Sequence, residues 1–437
     1  MRQRHTTQRS IFSFRPEHEI CRYLDRIDHW LSHSPCLLDW IAKDLAGSSP
    51  RGRPGMSCDQ VLRAALLMQY RQCSYRELAF LLKDSLSFQY FCGVDPSRVP
   101  GKSALNSNIS AIRPATWRKM NQLFVRDMNQ QGFEDGLQLR IDSTVVETNI
   151  LFPTDSKLLY DCIRVMVRIL KKLTPVIKIR YVNHCRRAKR HWFAALMAKN
   201  DEQRYPHYKA LLQDADTTRL ALMEVLETLQ KQGQELHWID HISELLQLVE
   251  KIMSQATQRV VLEQSVPVSD KVVSLHEPHT DIILKGGRDV QFGHKVNLTT
   301  GTSGLVTDII IERGNPADRI RLLPILKRHR KLYGTVPHSV AVDGGYASQD
   351  NLHQAKALGI SAVAFDKRVN LSIDEMTGSD WLYRELKRFR AGIEASISYL
   401  KRCFGLRRVR WKGWRNFQSS VYLSVFTHNL IVWARSG

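Results

Sequence analysis

From Leu137 the chain alternates. Leu137, Leu139 and Ile141 fall on one side of an extended segment and Gln138, Arg140 and Asp142 on the other, followed by Val145-Val146, so a strand is expected with Asp142 facing away from its apolar side. The same period returns over 291–299 and, after a turn at 301–304, over 305–311, which predicts a β-hairpin. Two short apolar runs, 339–342 ending in Asp343 and 361–365, read as further strands. Between and after them the period lengthens to that of a helix, at about 318–332, at 351–358 and over about 381–404. In the last of these Leu386, Ile393, Ile397, Leu400 and Phe404 share one face, so that stripe is expected to pack on the sheet. From about 155 to 265 the pattern is helical throughout, with breaks expected near Thr174-Pro175, Tyr205-Pro206 and Gln232-Gly233. The order of elements predicts a mixed α/β layer around one sheet, interrupted after its first strand by a helical insertion.

Upstream, Ser57 with Gln60 and Ser74 with Glu77 form candidate capping boxes ahead of the apolar faces Val61, Leu62, Ala65, Leu66 and Leu78, Leu81, Leu82. Two short capped helices in succession suit a helix-turn-helix-like unit, although most helical pairs with such spacing are simply core. A Ser, Pro, Gly and Arg-rich stretch over 48–55 separates them from what precedes.

Composition excludes wholesale disorder: in 437 residues, 43% are hydrophobic and 24% charged, close to the globular average. The unusual quantity is charge. Against 43 Asp and Glu stand 64 Lys and Arg, a net +21, which points to a polyanionic partner, nucleic acid above all. Nearly all of the surplus lies in two segments. Residues 164–190 hold ten basic residues and no acid, among them Arg186, Arg187, Lys189 and Arg190; residues 384–415 hold eleven against Glu385 and Glu394, among them Arg390, Lys401, Arg402, Arg407 and Arg408. The second segment is interleaved with Phe404, Trp411 and Trp414, a pattern that suits a path for DNA phosphates beside aromatic surfaces. For the first, a solvated helix face is the other reading. Arg51 and Arg53 in Pro50-Arg51-Gly52-Arg53-Pro54 match the core of a minor-groove hook, and also an ordinary basic connector. The eight cysteines form no C-x2-C pair, so reduced thiols are expected rather than a zinc ribbon. Without an apolar segment behind the basic N-terminus, a cytoplasmic location is expected.

Asp142 on one strand, Asp343 at the end of another and Glu394 beside the buried stripe of a helix supply hard oxygen ligands of the kind that hold Mg²⁺. Arg390 and Lys401 lie on the same helix edge as Glu394, four residues before it and seven after. Each acid taken singly has an ordinary reading, as an exposed strand residue, a turn residue before Gly344-Gly345, and a surface partner of Arg390. Taken together, Leu139-Arg140-Ile141-Asp142-Ser143-Thr144, Asp343-Gly344-Gly345-Tyr346 and Arg390-x3-Glu394-x6-Lys401 resemble the catalytic blocks of bacterial insertion-sequence transposases with a DDE nuclease core. In the branch whose last block reads Y-x2-R-x3-E-x6-K, the position of the Tyr is here Lys387. The hairpin strand Gln291-Phe292-Gly293-His294-Lys295-Val296 and the basic N-terminal helices extend the resemblance to most of the chain outside 155–265.

The resemblance implies a ribonuclease H-like mixed sheet flanked by helices, assembled from 131–154 and 266–437, with a helical DNA-binding region over 1–130 and the insertion over 155–265. It implies Asp142, Asp343 and Glu394 as catalytic residues holding two Mg²⁺ ions, for which Mn²⁺ would substitute, and Arg390 and Lys401 on the phosphates of the strand being cut. It further implies double-stranded DNA, both element ends and target, as substrate, a homodimer or higher multimer on DNA, and a nucleoid-associated prokaryotic protein. The alternatives are a ribonuclease H-like nuclease without strand transfer and a non-catalytic DNA-binding descendant of a transposase. Long spacing falls between the two aspartates rather than before the Glu, so the insertion follows the first strand. Gly101-Lys102-Ser103 lacks the upstream glycine of a phosphate loop, and His276-x2-His279 and His237-x3-His241 lack a third metal ligand at a telling distance.

Overall fold

The structure is a computed structural model that describes residues 4, 17–46, 55–233, 236–285, 289–367 and 369–436. It divides into two compact units, one formed by Met1–Thr148 with Gly293–Gly437 and the other by Asn149–Phe292.

The first unit opens with helices α1 (Glu19–Ser32), α2 (Cys36–Asp44), α3 (Cys58–Arg71), α4 (Tyr75–Asp84), α5 (Leu86–Cys92), α6 (Lys102–Ile109) and α7 (Pro114–Gln130). Both capping boxes form: Ser57 and Ser74 each accept from the backbone three residues on, and Gln60 and Glu77 reach back to the caps. Helix α3 is buried on nearly every side, from Cys58 through Gln69, so it is the central rod of a bundle. Strand β1 (Gln138–Glu147) follows, and the chain then enters the second unit through α8 (Asp155–Ile177), α9 (Cys185–Met197), α10 (Asp201–Gln232), α11 (Leu236–Ala256) and β2 (Asp281–Lys285). Strand β3 (Asp289–Thr300) brings it back to the first unit, which continues with β4 (Val306–Ile311), α12 (Leu322–Tyr333), β5 (Ser339–Val342), α13 (Gln349–Ala357), β6 (Ala362–Phe365), α14 (Ile373–Thr377), α15 (Asp380–Cys403) and α16 (Trp414–Arg435).

The sheet of the first unit runs β4-β3-β1-β5-β6, with β3 antiparallel to both β1 and β4, and with β1, β5 and β6 parallel. Strand β2 pairs with β3. At Gly293, opposite Glu147, a Cβ would stand 2.7 Å from the Glu147 Cα, so a side chain there would push β3 off β1. Leu139 and Ile141 of β1, Val340, Ala341 and Val342 of β5 and all four residues of β6 form one core with Leu322, Ile325 and Leu326 of α12 and Leu386 of α15. A second core joins α1 to α7 with Val296 and Leu298 of β3, Val306 and Ile309 of β4, and α16. Asn429 of α16 ties it to the sheet, accepting from Val306 N at 2.9 Å and donating to Val306 O at 2.8 Å.

The second unit packs the apolar faces of α8, α9, α10 and α11 into its own core. Two of the expected breaks move. Helix α10 starts at Asp201 under an Asn200 cap and runs through Pro206, whose missing N–H falls near the helix start and costs only one bond, to Glu202. Helix α8 likewise carries Pro175 inside it and ends where Lys178 turns left-handed at φ 57°. Gly233 ends α10 as expected. No helix of the described residues is long and apolar enough to cross a membrane.

Candidate active site

Register places the acids. In the parallel ladder Ile141 of β1 faces Val342 of β5, and Val342 faces Phe365 of β6, so Asp142, Asp343 and Asp366 each follow a residue of the same cross-sheet row. Asp366 continues the ladder, donating its N–H to Val342 O at 3.0 Å. Period-two alternation sets Arg140 and Asp142 on one face of β1, the face over which α15 lies. Asp142 accepts from Ser143 N at 2.7 Å, and Asp343 caps the short turn after β5, accepting from Gly345 N at 3.3 Å.

Helix α15 crosses β1, β5 and β6 and brings Arg390 and Glu394 over this row. The Arg390 guanidinium, its side chain 13% exposed, lies among four carboxylates: Glu394 at 3.1 Å, Asp142 at 3.7 Å, Asp343 at 3.9 Å and Asp366 at 4.0 Å. Glu394 itself is exposed, so its pairing with Arg390 is the ordinary helix i,i+4 contact, whereas Asp142 is largely buried. The three acids named from the sequence thus converge around one cation that the sequence had also singled out.

A network behind Asp343 fixes the turn. Tyr346 is fully buried and donates its hydroxyl to Asn297 Oδ1 at 2.7 Å; Asn297 donates to Glu312 at 2.9 Å, and Glu312 pairs with Arg321 at 2.5 Å. Burial and the surrounding carboxylates hold the Tyr346 phenol far above its ordinary range, so it is a neutral donor. Next to Asp142, Ser143 donates to Asp318 at 3.5 Å, and Lys295 pairs with Asp318 at 3.2 Å. Asp366, Asp318 and Lys295 are the site-lining charges that pattern reading missed. Asp366 carries the same signal as Asp343, an acid directly after a short buried strand; Asp318 opens a helical turn and has no such mark.

Among the described residues no three carboxylate, imidazole or thiolate groups stand close enough together to hold one ion as they are. Their oxygen donors are nonetheless of the hard, anionic type that divalent Mg²⁺ or Mn²⁺ prefers, and Arg390 occupies the space between them.

The other basic residues fall in different surroundings. Lys401, Arg402, Arg407, Arg408, Arg410 and Trp411 line a groove of the first unit beside the end of α3, where Gln72 donates to Arg402 O at 2.5 Å and Tyr75 stacks on Trp411. Arg408 also pairs with Glu147 at 2.6 Å, while the backbone of Arg407 and Val409 bonds to Glu147 at the end of β1. In the second unit Arg186, Lys189 and Arg190 are exposed on α9. Arg187 differs from them: it is committed to Asp214, a fully buried carboxylate of α10, with Nε at 3.1 Å. Arg51 and Arg53 lie outside the described residues. His279 is buried against Glu277 at 2.8 Å and His276 meets Arg164 at 3.2 Å, so this pair has local partners. All eight cysteines are free thiols.

Fold and site together define a mixed α/β protein with an acidic centre at the carboxyl ends of parallel strands and a basic groove in the same unit. Residues 273–430 match the family model described as Transposase DDE domain, and residues 18–111 match one described as Transposase domain. The two spans cover more than half of the chain, which belongs to the DDE transposases of insertion sequences. No curated protein and no solved structure matches it. The first match contains Asp343, Asp366, Arg390 and Glu394 but stops short of Asp142, which joins them through the pairing of β1 with β5.

Proposed function

We propose that this transposase binds the terminal inverted repeats of its insertion sequence, cleaves the DNA ends and joins them to target DNA, with Asp142, Asp343 and Glu394 as its catalytic carboxylates. The observation that carries the reading is the convergence of these three side chains on the Arg390 guanidinium. The strand order β4-β3-β1-β5-β6, with three parallel strands and an antiparallel hairpin, supports a ribonuclease H-like core. Asp142, Asp343 and Glu394 would hold divalent cations, Mg²⁺ or Mn²⁺, which when bound supply an activated oxygen nucleophile and charge stabilisation at the phosphodiester.

The chain's own residues do the rest. Main-chain register fixes the two aspartates side by side, and the Tyr346 network keeps the turn after Asp343 from moving. Arg390 and Lys401 hold phosphates of the strand being cut, and Arg402, Arg407, Arg408 and Arg410 extend that contact along the groove. Arg186, Lys189 and Arg190 offer a second phosphate-binding surface on the inserted helices. Working on two DNA ends calls for a dimer or higher multimer, and a nucleoid location follows from the substrate.

The test is an assay of the purified chain on a duplex carrying the element end, with Mg²⁺ and a supercoiled target plasmid. Cleavage and joining by the wild type, both lost in Asp142→Asn, Asp343→Asn and Glu394→Gln while the DNA is still bound, are expected. Cleavage without joining would instead identify a nuclease, and binding without either would identify a DNA-binding descendant.

A further inference from the structure

Arg390 is held in an unusual way. Of its four carboxylate neighbours among the described residues, Glu394 alone is at hydrogen-bonding distance; Asp142, Asp343 and Asp366 stand at 3.7, 3.9 and 4.0 Å, and the buried Nε has no hydrogen-bond partner among the described residues. A guanidinium so placed is retained by the summed charge of its neighbours and hydrogen-bonded to Glu394, an exposed carboxylate of its own helix. It also fills the space in which Asp142, Asp343 and Glu394 would receive divalent cations. A monovalent and a divalent cation a few ångströms apart repel strongly wherever water is partly excluded, so both cannot occupy that space.

Displaced from the triad before DNA supplies a phosphate, the guanidinium needs another anion within reach. Asp366 is the carboxylate around it that does not belong to the triad. It sits on the neighbouring strand β6, fixed by its own backbone bond to Val342, and is approached from α15 by Lys387 at 3.2 Å. Lys387 and Arg390 are one helical turn apart, so both cations meet Asp366 from the same helix face.

We propose that Asp366 is a positioning residue that receives the Arg390 guanidinium when Asp142, Asp343 and Glu394 take divalent cations, making Arg390 an internal counter-ion that keeps the acids together and yields to the metal. This rests on the reading of Asp142, Asp343 and Glu394 as the metal-holding carboxylates. It goes beyond that reading in giving a role to Asp366 and an exchange to Arg390.

The experiment is a Mn²⁺ titration of the full chain without DNA, followed by the loss of the free-ion electron paramagnetic resonance signal. Removing the competing cation in Arg390→Ala is expected to tighten Mn²⁺ binding, and Asp366→Asn to weaken it, each by about five- to tenfold. In Asp366→Asn/Arg390→Ala the affinity should equal that of Arg390→Ala alone, because Asp366 then has nothing to receive. Asp366→Glu should recover most of the wild-type affinity, which a variant impaired only in folding would not be repaired to do. Equal weakening by Asp366→Asn in both backgrounds would overturn the proposal, showing that Asp366 acts on the cation itself; no weakening in either would overturn it as well. If Asp142→Asn left Mn²⁺ binding unchanged, the underlying assignment of the triad would fall, a result separable from any obtained at Asp366.

Discussion

Arg140 of β1 donates through Nη1 to the carbonyl oxygen of Phe389 at 3.1 Å, one residue before Arg390, and through Nε to Thr300 of β3 at 2.8 Å. Its guanidinium also lies over the Phe389 ring at 4.8 Å and passes where a side chain at Gly392 would be. One side chain, two residues before Asp142, therefore bolts the helix that carries Arg390 and Glu394 to the strand that carries Asp142.

Arg140→Ala should loosen that bolt. The lost charge-assisted bonds and the carbonyl left without its donor predict a destabilisation of about 1–3 kcal/mol. Urea unfolding monitored by tryptophan fluorescence checks it, and an unchanged midpoint would show that apolar packing alone seats the helix. Arg140→Lys, which keeps the charge but not the fork, should recover only part of the loss.

Charge reversal in the groove should act through salt. If Arg402, Arg407 and Arg410 neutralise phosphates, each change to Glu lowers the magnitude of the slope of log K against log salt by about 0.9 or more. Binding to a duplex measured over a series of salt concentrations checks this, and a parallel displacement of the line with no change of slope would remove these residues from the phosphate contact. Arg408 also bonds to Glu147, so its reversal should cost stability besides affinity.

In the second unit Arg187→Met should be more damaging than Lys189→Met or Arg190→Met, although all three lie in one basic run. Asp214 is fully buried, and the loss of Arg187 leaves it an imidazole, that of His184 at 3.5 Å, in place of a guanidinium. A buried anion deprived of its main partner costs about 1–3 kcal/mol or more, whereas the exposed cations cost little. Thermal unfolding of the three variants ranks them, and equal melting temperatures would contradict the assignment.

Acid should weaken the first unit. His428, fully buried between Tyr399 and Phe404, and His329, stacked on Tyr333, are each pushed down by burial to about 4. The unfolded chain takes up these protons near the ordinary value of about 6.5 and the folded chain does not. Stability supplied by the neutral rings is therefore complete above about 6.5 and is lost as the pH falls toward 4, by about 1.4 kcal/mol per histidine for each tenfold rise in proton concentration. Urea unfolding at a series of pH values should show this decline, and His428→Gln should make it shallower.

Much of the centre was legible in the amino-acid order. Asp142 and Asp343 could be read because alternation and short apolar runs announce strands, and Glu394 because a five-residue stripe fixes the face of α15. The role of the inserted residues was not legible, since a helical period says which face is buried and not which cation answers which buried acid: Arg187 and Lys189 look alike until Asp214 is seen. Asp366 escaped because a strand-end acid is common, and only the shared register of three strands sets this one apart. Within the helical region expected over 1–130, helices α1 and α2 were not delimited for a related reason, as their apolar residues are interspersed with charges; α1 gains its meaning from α16, some four hundred positions away, and α2 from α3 and α7.

That distance has a consequence for how the polypeptide is made. Trp30 of α1 packs edge-on against Phe124 and Phe426, Arg26 donates to Ala434 O at 2.9 Å, and Asn429 bonds both backbone groups of Val306 at the start of β4. Helices α1 to α7 cannot complete their core until α16 has been synthesised. Premature termination ahead of α16 should therefore leave the first unit aggregating or degraded rather than yield a shortened DNA-binding competitor, so that unit is built to succeed or fail as a whole.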